Sequence, residues 1–236
     1  MRRGGFTLIE CLIGLALSLF VITAGLEFLA RAQRAFLRLK AKEEAGQAAL
    51  AALDRMRVDL LHAGRGLVAE IEAGLVVGAE ADAAELRTTS LERPLALAAA
   101  VSAGETRLRL DSTAEIAAGQ RLALRVGPAG EGRTIVGVET DAVLVEAPLE
   151  RGYAPGSSVL SLLETVAYFL DGRARVLRRR VNASPAQPLL EDAAAAVWSL
   201  DPDARLVRVR LELTIEGAHP HETTVFLKNP ALAGIR

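Results

Sequence analysis

The sequence predicts an α+β protein, with one long N-terminal helix followed by a β-rich head. Three observations predict it. Residues 6–26, FTLIECLIGLALSLFVITAGL, are apolar with one acid among them, Glu10. Residues 27–62 contain no proline and are dominated by Ala, Leu, Lys, Arg and Glu, which are good helix formers. From residue 101 onward, short alternating stretches are divided by turns rich in Gly, Pro and Asp, the pattern of antiparallel strands.

The helix comes first. About 20 apolar residues rising 1.5 Å each span the hydrocarbon of a bilayer, so 6–26 is long enough to cross. The leader in front of it, MRRGG, carries two arginines and argues for a cytoplasmic N-terminus. Residues 6–62 as one helix would reach about 85 Å. Its first half is apolar all round and must lie in lipid or among similar helices. In its second half Ala49, Leu53, Met56 and Leu60 recur at helical spacing and make one apolar face for a folded domain. Arg55 and Asp59, four apart, are expected to pair weakly on the outer face. Gly64 and Gly66 are expected to end the helix. Gly14 and Gly25 are candidate points of close packing, and Gly46 weakens the helix locally.

The head follows. Gly74–Val77 and Ala84–Thr89 are expected as short strands, with Pro94 between them and an alanine-rich patch. Within 101–163, strands are expected at Thr106–Leu110, Arg121–Val126, Arg133–Val138 and Ala142–Glu146, together forming a small inserted β-module. Gly127–Gly132 reads as a turn. No Lys-Ser/Thr follows it and a strand comes next, which argues against a phosphate cradle. Gly152–Gly156 closes the module. Glu164–Leu170 then runs into Asp171-Gly172, a two-residue hairpin signal, and returns as Ala174–Arg180. Pro185 and Pro188 mark a loop, and Ala193–Leu200 fits either a helical turn or a strand. Val207, Val209, Leu211, Leu213 and Ile215 alternate with polar residues, as in a strand with one buried face. Glu222–Lys228 is its expected partner, ended by Asn229-Pro230.

Glu10 is the residue that demands a reason. A carboxylate within a membrane helix costs a few kcal/mol, so such residues are usually functional. Were the chain cut after Gly5, Phe6 would carry a new α-amino group able to pair with Glu10 of a neighbouring subunit. The alternative is a glutamate near the membrane surface that snorkels or is protonated; the chemistry alone leaves both open. The contiguous run Gly5-Phe6-Thr7-Leu8-Ile9-Glu10, behind a basic leader and ahead of an apolar helix, resembles the processing site of type IV prepilins and type II secretion pseudopilins. The resemblance implies that prepilin peptidase cuts between Gly5 and Phe6, that Phe6 is N-methylated, and that Glu10 is the assembly residue. It implies a pilin-like fold with three parts: leader 1–5; helix 6–62, of which 6–26 is transmembrane; and head 63–236, with 101–163 inserted. Competing readings are a secretory signal peptide cut near Ala30-Arg31-Ala32 and a simple uncleaved anchor. Against the first, Glu10 interrupts the apolar core and Glu27 and Arg31 crowd the cut.

Further along, Tyr168-Phe169-Leu170-Asp171-Gly172, Arg178-Arg179-Arg180 and Gln187-Pro188-Leu189 look like PilW-type minor pilins. Val225-Phe226-Leu227-Lys228-Asn229 is similar to the end of that group and of the J-class minor pseudopilins. Many pilins have a C-terminal disulfide loop. Here the single cysteine, Cys11, lies in the apolar run, so no intrachain disulfide can form.

Other chemistries have little support. The 236 residues are 51% hydrophobic but only 4% aromatic, and the net charge of −1 sets up no overall field for nucleic acid or anionic lipid. No H-E-x-x-H, paired cysteines or nucleophile elbow occurs, so no enzyme and no cofactor are expected. His219-Pro220-His221 beside Glu222 reads as a polar turn before it reads as a metal site. Asp192, Asp201 and Asp203 lack the closely spaced loop of a calcium site. Arg178, Arg179 and Arg180, with Arg173 and Arg175, form a basic cluster. Tyr168 and Phe169 nearby could stack on bases, so DNA contact is one expectation and a solvated, acid-balanced strand face the other.

The expected function is a minor pilin or pseudopilin, a low-copy subunit that primes or caps a type IV pilus-like filament. Its expected partners are other pilins, through the N-terminal helix, and prepilin peptidase. Its expected location is the bacterial inner membrane, crossed once with the head in the periplasm, and afterwards the filament. The alternatives are a minor pseudopilin of a type II secretion system, or a membrane-tethered adhesin or DNA-uptake module that binds DNA or a surface ligand.

Overall fold

The computed structural model describes residues 8–67, 71, 74–80, 83–201, 208–215 and 219–227. Gly5, Phe6, Asp203, Val207, Lys228 and Asn229 lie outside the described residues. The fold is α+β and pilin-like: one long apolar N-terminal helix and antiparallel β-sheets that pack against it. The chain divides into two units, Met1–Gln47 and Ala48–Arg236.

The helix α1 runs Leu8–His62. In the first unit its side chains are exposed, from Leu8 and Ile9 through Phe28 to Leu39. Two hydroxyls there are satisfied by the helix's own carbonyls. The hydroxyl of Ser18 donates to Gly14 O at 2.7 Å and that of Thr23 to Phe20 O at 2.9 Å, so neither carries an orphan donor into an apolar medium. A side chain built at Gly14 or Gly25 would meet nothing within 4 Å; both positions are bare helix surface. In the second unit Ala49, Leu53, Met56 and Leu60 are all buried, as their spacing predicts. The helix ends where expected, with Gly64 at φ 70° and Gly66 at φ 75°. A side chain at Gly74 would strike the Gly64 backbone at 2.4 Å, so the exit from the helix and the start of the sheet need glycine on both sides.

Twelve described strands follow: β1 (Leu75–Glu80), β2 (Ala83–Leu95), β3 (Arg107–Arg109), β4 (Arg121–Val126), β5 (Ala129–Val138), β6 (Ala142–Val145), β7 (Val159–Asp171), β8 (Val176–Val181), β9 (Gln187–Leu190), β10 (Ala193–Asp201), β11 (Arg208–Ile215) and β12 (His221–Phe226). The larger sheet has the order β1-β2-β7-β4-β5-β6-β3, with β8 also bonded to β7 and β9 to β8; β10-β11-β12 form a second sheet. The segment 101–163 is not hydrogen-bonded apart from the rest. Its strand β4 pairs antiparallel with β7, Arg121 opposite Leu163. The core of this region gathers Leu108, Leu122, Leu124, Ile135, Val143, Leu160 and Leu162.

Several local expectations change. Pro94 does not end a strand but lies inside β2, opposite Ser161. Strand β1 pairs only as far as Thr88, so among the described residues one edge of β2 has no strand partner near Pro94, where a missing N–H is tolerated. Gly127–Gly132 is a turn only at its start, since β5 begins at Ala129. Gly130 serves packing, as a side chain there would sit 2.8 Å from both Ile71 Cγ1 and Leu124 O. The β7–β8 connection is not a two-residue turn. Asp171 pairs with Val176, leaving four residues between, with Arg175 at φ 56° and the Asp171 carboxylate accepting the Ala174 N–H at 3.1 Å. Ala193–Leu200 proves to be strand, and Pro188 falls within β9. Strand β11 buries Val209, Leu211, Leu213 and Ile215, as its alternation predicts.

Candidate functional site: the N-terminal helix and its lock to the sheet

Glu10 lies in the first turn of α1 with its side chain exposed. The helix contains a stretch long and apolar enough to cross a membrane, with mean hydropathy 2.2 and none of that stretch buried. Residues 8–26 thus present apolar surface along their length, with one acid, Glu10, near the start.

The second half of the helix is fastened by a polar cluster that the sequence reading placed wrongly. Asp59 is not on the outer face; it is 7% exposed and faces the sheet. Its carboxylate accepts a short hydrogen bond from the hydroxyl of Tyr168 on β7 and one from Arg179 Nε on β8 at 2.8 Å. Arg55, one helical turn before it, approaches at 3.5 Å. Position 59 follows Met56 by three and Ala52 by seven, so it belongs to the buried stripe of the helix. An acid on an apolar stripe was the available signal for a buried partner. Burial first, and then the bond to Asp59, push the Tyr168 hydroxyl above its ordinary value of 10.0.

The sign of the resulting pH dependence follows. A group whose pKa is raised by folding contributes stability that is complete below its unfolded value and falls as pH rises beyond it. The head therefore loses stability above about pH 10. Tyr153 shifts in the same direction, from burial and then its bond to Glu131. Alkaline denaturation followed by circular dichroism should show a fall that is smaller, but not abolished, in Tyr168→Phe.

A second buried acid braces the middle of the head. Glu131, 4% exposed, accepts from the Tyr153 hydroxyl at 2.8 Å and the Glu150 N–H at 3.0 Å, and meets Arg133 at 2.5 Å. It ties β5 to the loop that leads into β7.

The arginines of the expected basic cluster point to different places. Arg178 meets Asp171 at 3.2 Å, Arg179 is spent on Asp59, and Arg180 lies 3.9 Å from Glu85 and 5.6 Å above the Phe169 ring. Tyr168 is fully buried and has no face to offer a base. Among the described residues no group of three or more His, Cys, Asp or Glu side chains converges as a metal site would.

Residues 1–26 match the prokaryotic N-terminal methylation motif. The match covers Gly5, Phe6 and Glu10 and the whole apolar run, and supports a type IV pilin or pseudopilin N-terminus. No curated protein and no solved structure matches the chain. With the unburied apolar helix, the motif fits a membrane-anchored pilin and a structural rather than catalytic role.

Proposed function

We propose that the chain is a minor pilin or pseudopilin, a low-copy subunit that primes or caps a type IV pilus-like filament after prepilin peptidase cuts between Gly5 and Phe6. The observation that carries this reading is the methylation motif over residues 1–26, set at the head of an exposed apolar helix with Glu10 in its first turn. Before assembly the helix lies in the inner membrane with the head in the periplasm. Assembly moves the helix from lipid to a bundle of similar helices. Both surroundings are apolar, so packing and polar pairing decide the outcome. Glu10 supplies the polar term by answering the α-amino group of Phe6 on a neighbouring subunit. A buried charge that finds its partner in only one register also sets that register. The size of the head, the strands of 101–163 and the lack of a disulfide favour a low-copy position over the repeating shaft.

Mass spectrometry of the mature protein tests the reading. The expected N-terminus is methylated Phe6; a protein that begins at Met1, or beyond Ala32, overturns it. Glu10→Ala should insert and be processed normally, yet be depleted from purified filaments. Normal incorporation of that variant would leave Glu10 without the assembly role.

A further inference from the structure

Residues 28–42 of α1 carry five cations, Arg31, Arg34, Arg38, Lys40 and Lys42, and no acid. The whole stretch is helical and exposed. Two of the five are answered on the helix itself. Arg31 meets Glu27 at 3.2 Å and Lys40 meets Glu44 at 3.7 Å. Arg34 donates from Nε to the Ala30 carbonyl at 3.1 Å, a neutral acceptor that leaves its charge unbalanced. Among the described residues Arg34, Arg38 and Lys42 meet no carboxylate.

These three stand four residues apart and so form one row along the helix. Like charges at that spacing destabilise a helix, and the row holds two such pairs, Arg34 with Arg38 and Arg38 with Lys42. Elsewhere the same helix does the reverse, since Glu27 and Arg31, Lys40 and Glu44, and Arg55 and Asp59 are opposite charges four apart. Ala30, Ala35, Ala41 and Ala45 lie three or four residues from members of the row and therefore border it. Small side chains let a second helix backbone approach closely. A cationic row with a shallow border suits a helix that brings carboxylates at matching spacing.

Anionic lipid answers only the foot of the row. The apolar run ends at Leu26, and Arg38 and Lys42 lie 12 and 16 residues beyond it. That is about 18 and 24 Å along an upright helix, against a headgroup layer about 5–8 Å deep. A second copy of the chain fits no better. Two copies anchored in one bilayer set the same positions side by side, and cations then face cations. The acids of residues 27–47 are Glu27, Glu43 and Glu44, of which Glu27 and Glu44 already answer Arg31 and Lys40. We propose that the row Arg34, Arg38 and Lys42 seats the helix of a different membrane-anchored subunit, one that carries two or more carboxylates three or four residues apart at this height. The proposal rests on the filament reading above and adds the chemistry of the neighbour. A chain whose row repels its own copies enters a filament singly, beside an acid-bearing subunit.

The test uses the full chain in the cells that produce it, with Ala41→p-benzoylphenylalanine as a photo-crosslinker on the border of the row. Mass spectrometry reads the joined peptides, with the yield taken per molecule of chain in the membrane. The expected adduct is to a helix of a different protein with at least two Asp or Glu three or four residues apart. Its yield falls at least about tenfold in Arg34→Glu/Arg38→Glu/Lys42→Glu, since like charges brought together at an interface cost at least that much, and is kept in Arg34→Lys/Arg38→Lys. A yield that survives the reversal overturns the proposal. So does an adduct formed only with a second copy, only with lipid or only with a segment that lacks acids, and so does the absence of any adduct. Should the triple reversal fail to accumulate in the membrane, Arg38→Glu alone decides, read by the same adduct. The mature N-terminus, read from the same sample, keeps the two readings apart. An acid-bearing adduct on a chain that still begins at Met1 upholds the row and overturns the filament role, whereas a chain that begins at Phe6 without such an adduct overturns only the row.

Discussion

Asp59→Ala destabilises the head by about 3–5 kcal/mol, the usual cost of removing one partner from a buried ion pair. The variant leaves the fully buried Tyr168 hydroxyl and the largely buried Arg179 guanidinium facing a space where their shared acceptor stood. The carboxylates of Asp171 and Glu85 meet Arg178 and Arg180 on the other face of the sheet. For a unit of this size the loss corresponds to a fall in melting temperature of about 10 °C. A double-mutant cycle with Tyr168→Phe separates pairing from packing. The two changes together should cost clearly less than their sum, since removing both partners leaves fewer orphans. A change below about 0.5 kcal/mol in Asp59→Ala would show that apolar contacts alone hold the helix to the sheet. The prediction bears on function. In the proposed filament role a pull on the N-terminal helix reaches the head through this contact, and apolar packing by itself is not directional.

Gly5→Val abolishes maturation, the largest functional effect expected of any single change here. The proposed cut falls immediately after Gly5, and a β-branched side chain there adds bulk and stiffness at the bond to be cleaved. The uncut chain keeps MRRGG in front of Phe6 and so never gains the α-amino group that Glu10 is proposed to answer. The protein should accumulate in the membrane at the mass of the full chain and be missing from filaments. A mature N-terminus at Phe6 in this variant would sink the processing assignment. Glu10→Ala should instead be cut and still fail to assemble. The pair of variants thus separates processing from assembly, two steps that rest on neighbouring residues of one motif.

Much of the architecture was legible because it depends on local periodicity. The helix, its buried stripe through Ala49, Leu53, Met56 and Leu60, its glycine stop, and strands β4, β6 and β11 each follow from spacing within a few residues. Failures cluster where distant segments meet. Strand β2 runs past its expected end at Thr89 and through Pro94, because the edge that tolerates a proline is a property of the sheet. Asp171-Gly172 looked like a two-residue turn, but the pairing of Asp171 with Val176 requires four residues. Ala123, on the polar side of an alternating pattern, is buried because Leu67 and Leu163 cover that face too. The run Arg178–Arg180 looked like one basic patch. In a strand, successive side chains leave opposite faces, so Arg179 goes to the helix while Arg180 meets Glu85 on the other side.

By itself the chain order determined the motif at residues 1–26, the apolar span and the amphipathic half-helix, since each is written in consecutive or helically spaced residues. Tertiary structure alone decided that Asp59, Tyr168 and Arg179 meet, that Glu131 is buried against Tyr153, and that β7 is shared by β4 and β8. These pairings join residues 22 to 120 positions apart. No local pattern encodes them, because which partner a buried charge finds depends on how the sheet is ordered and in what register its strands align.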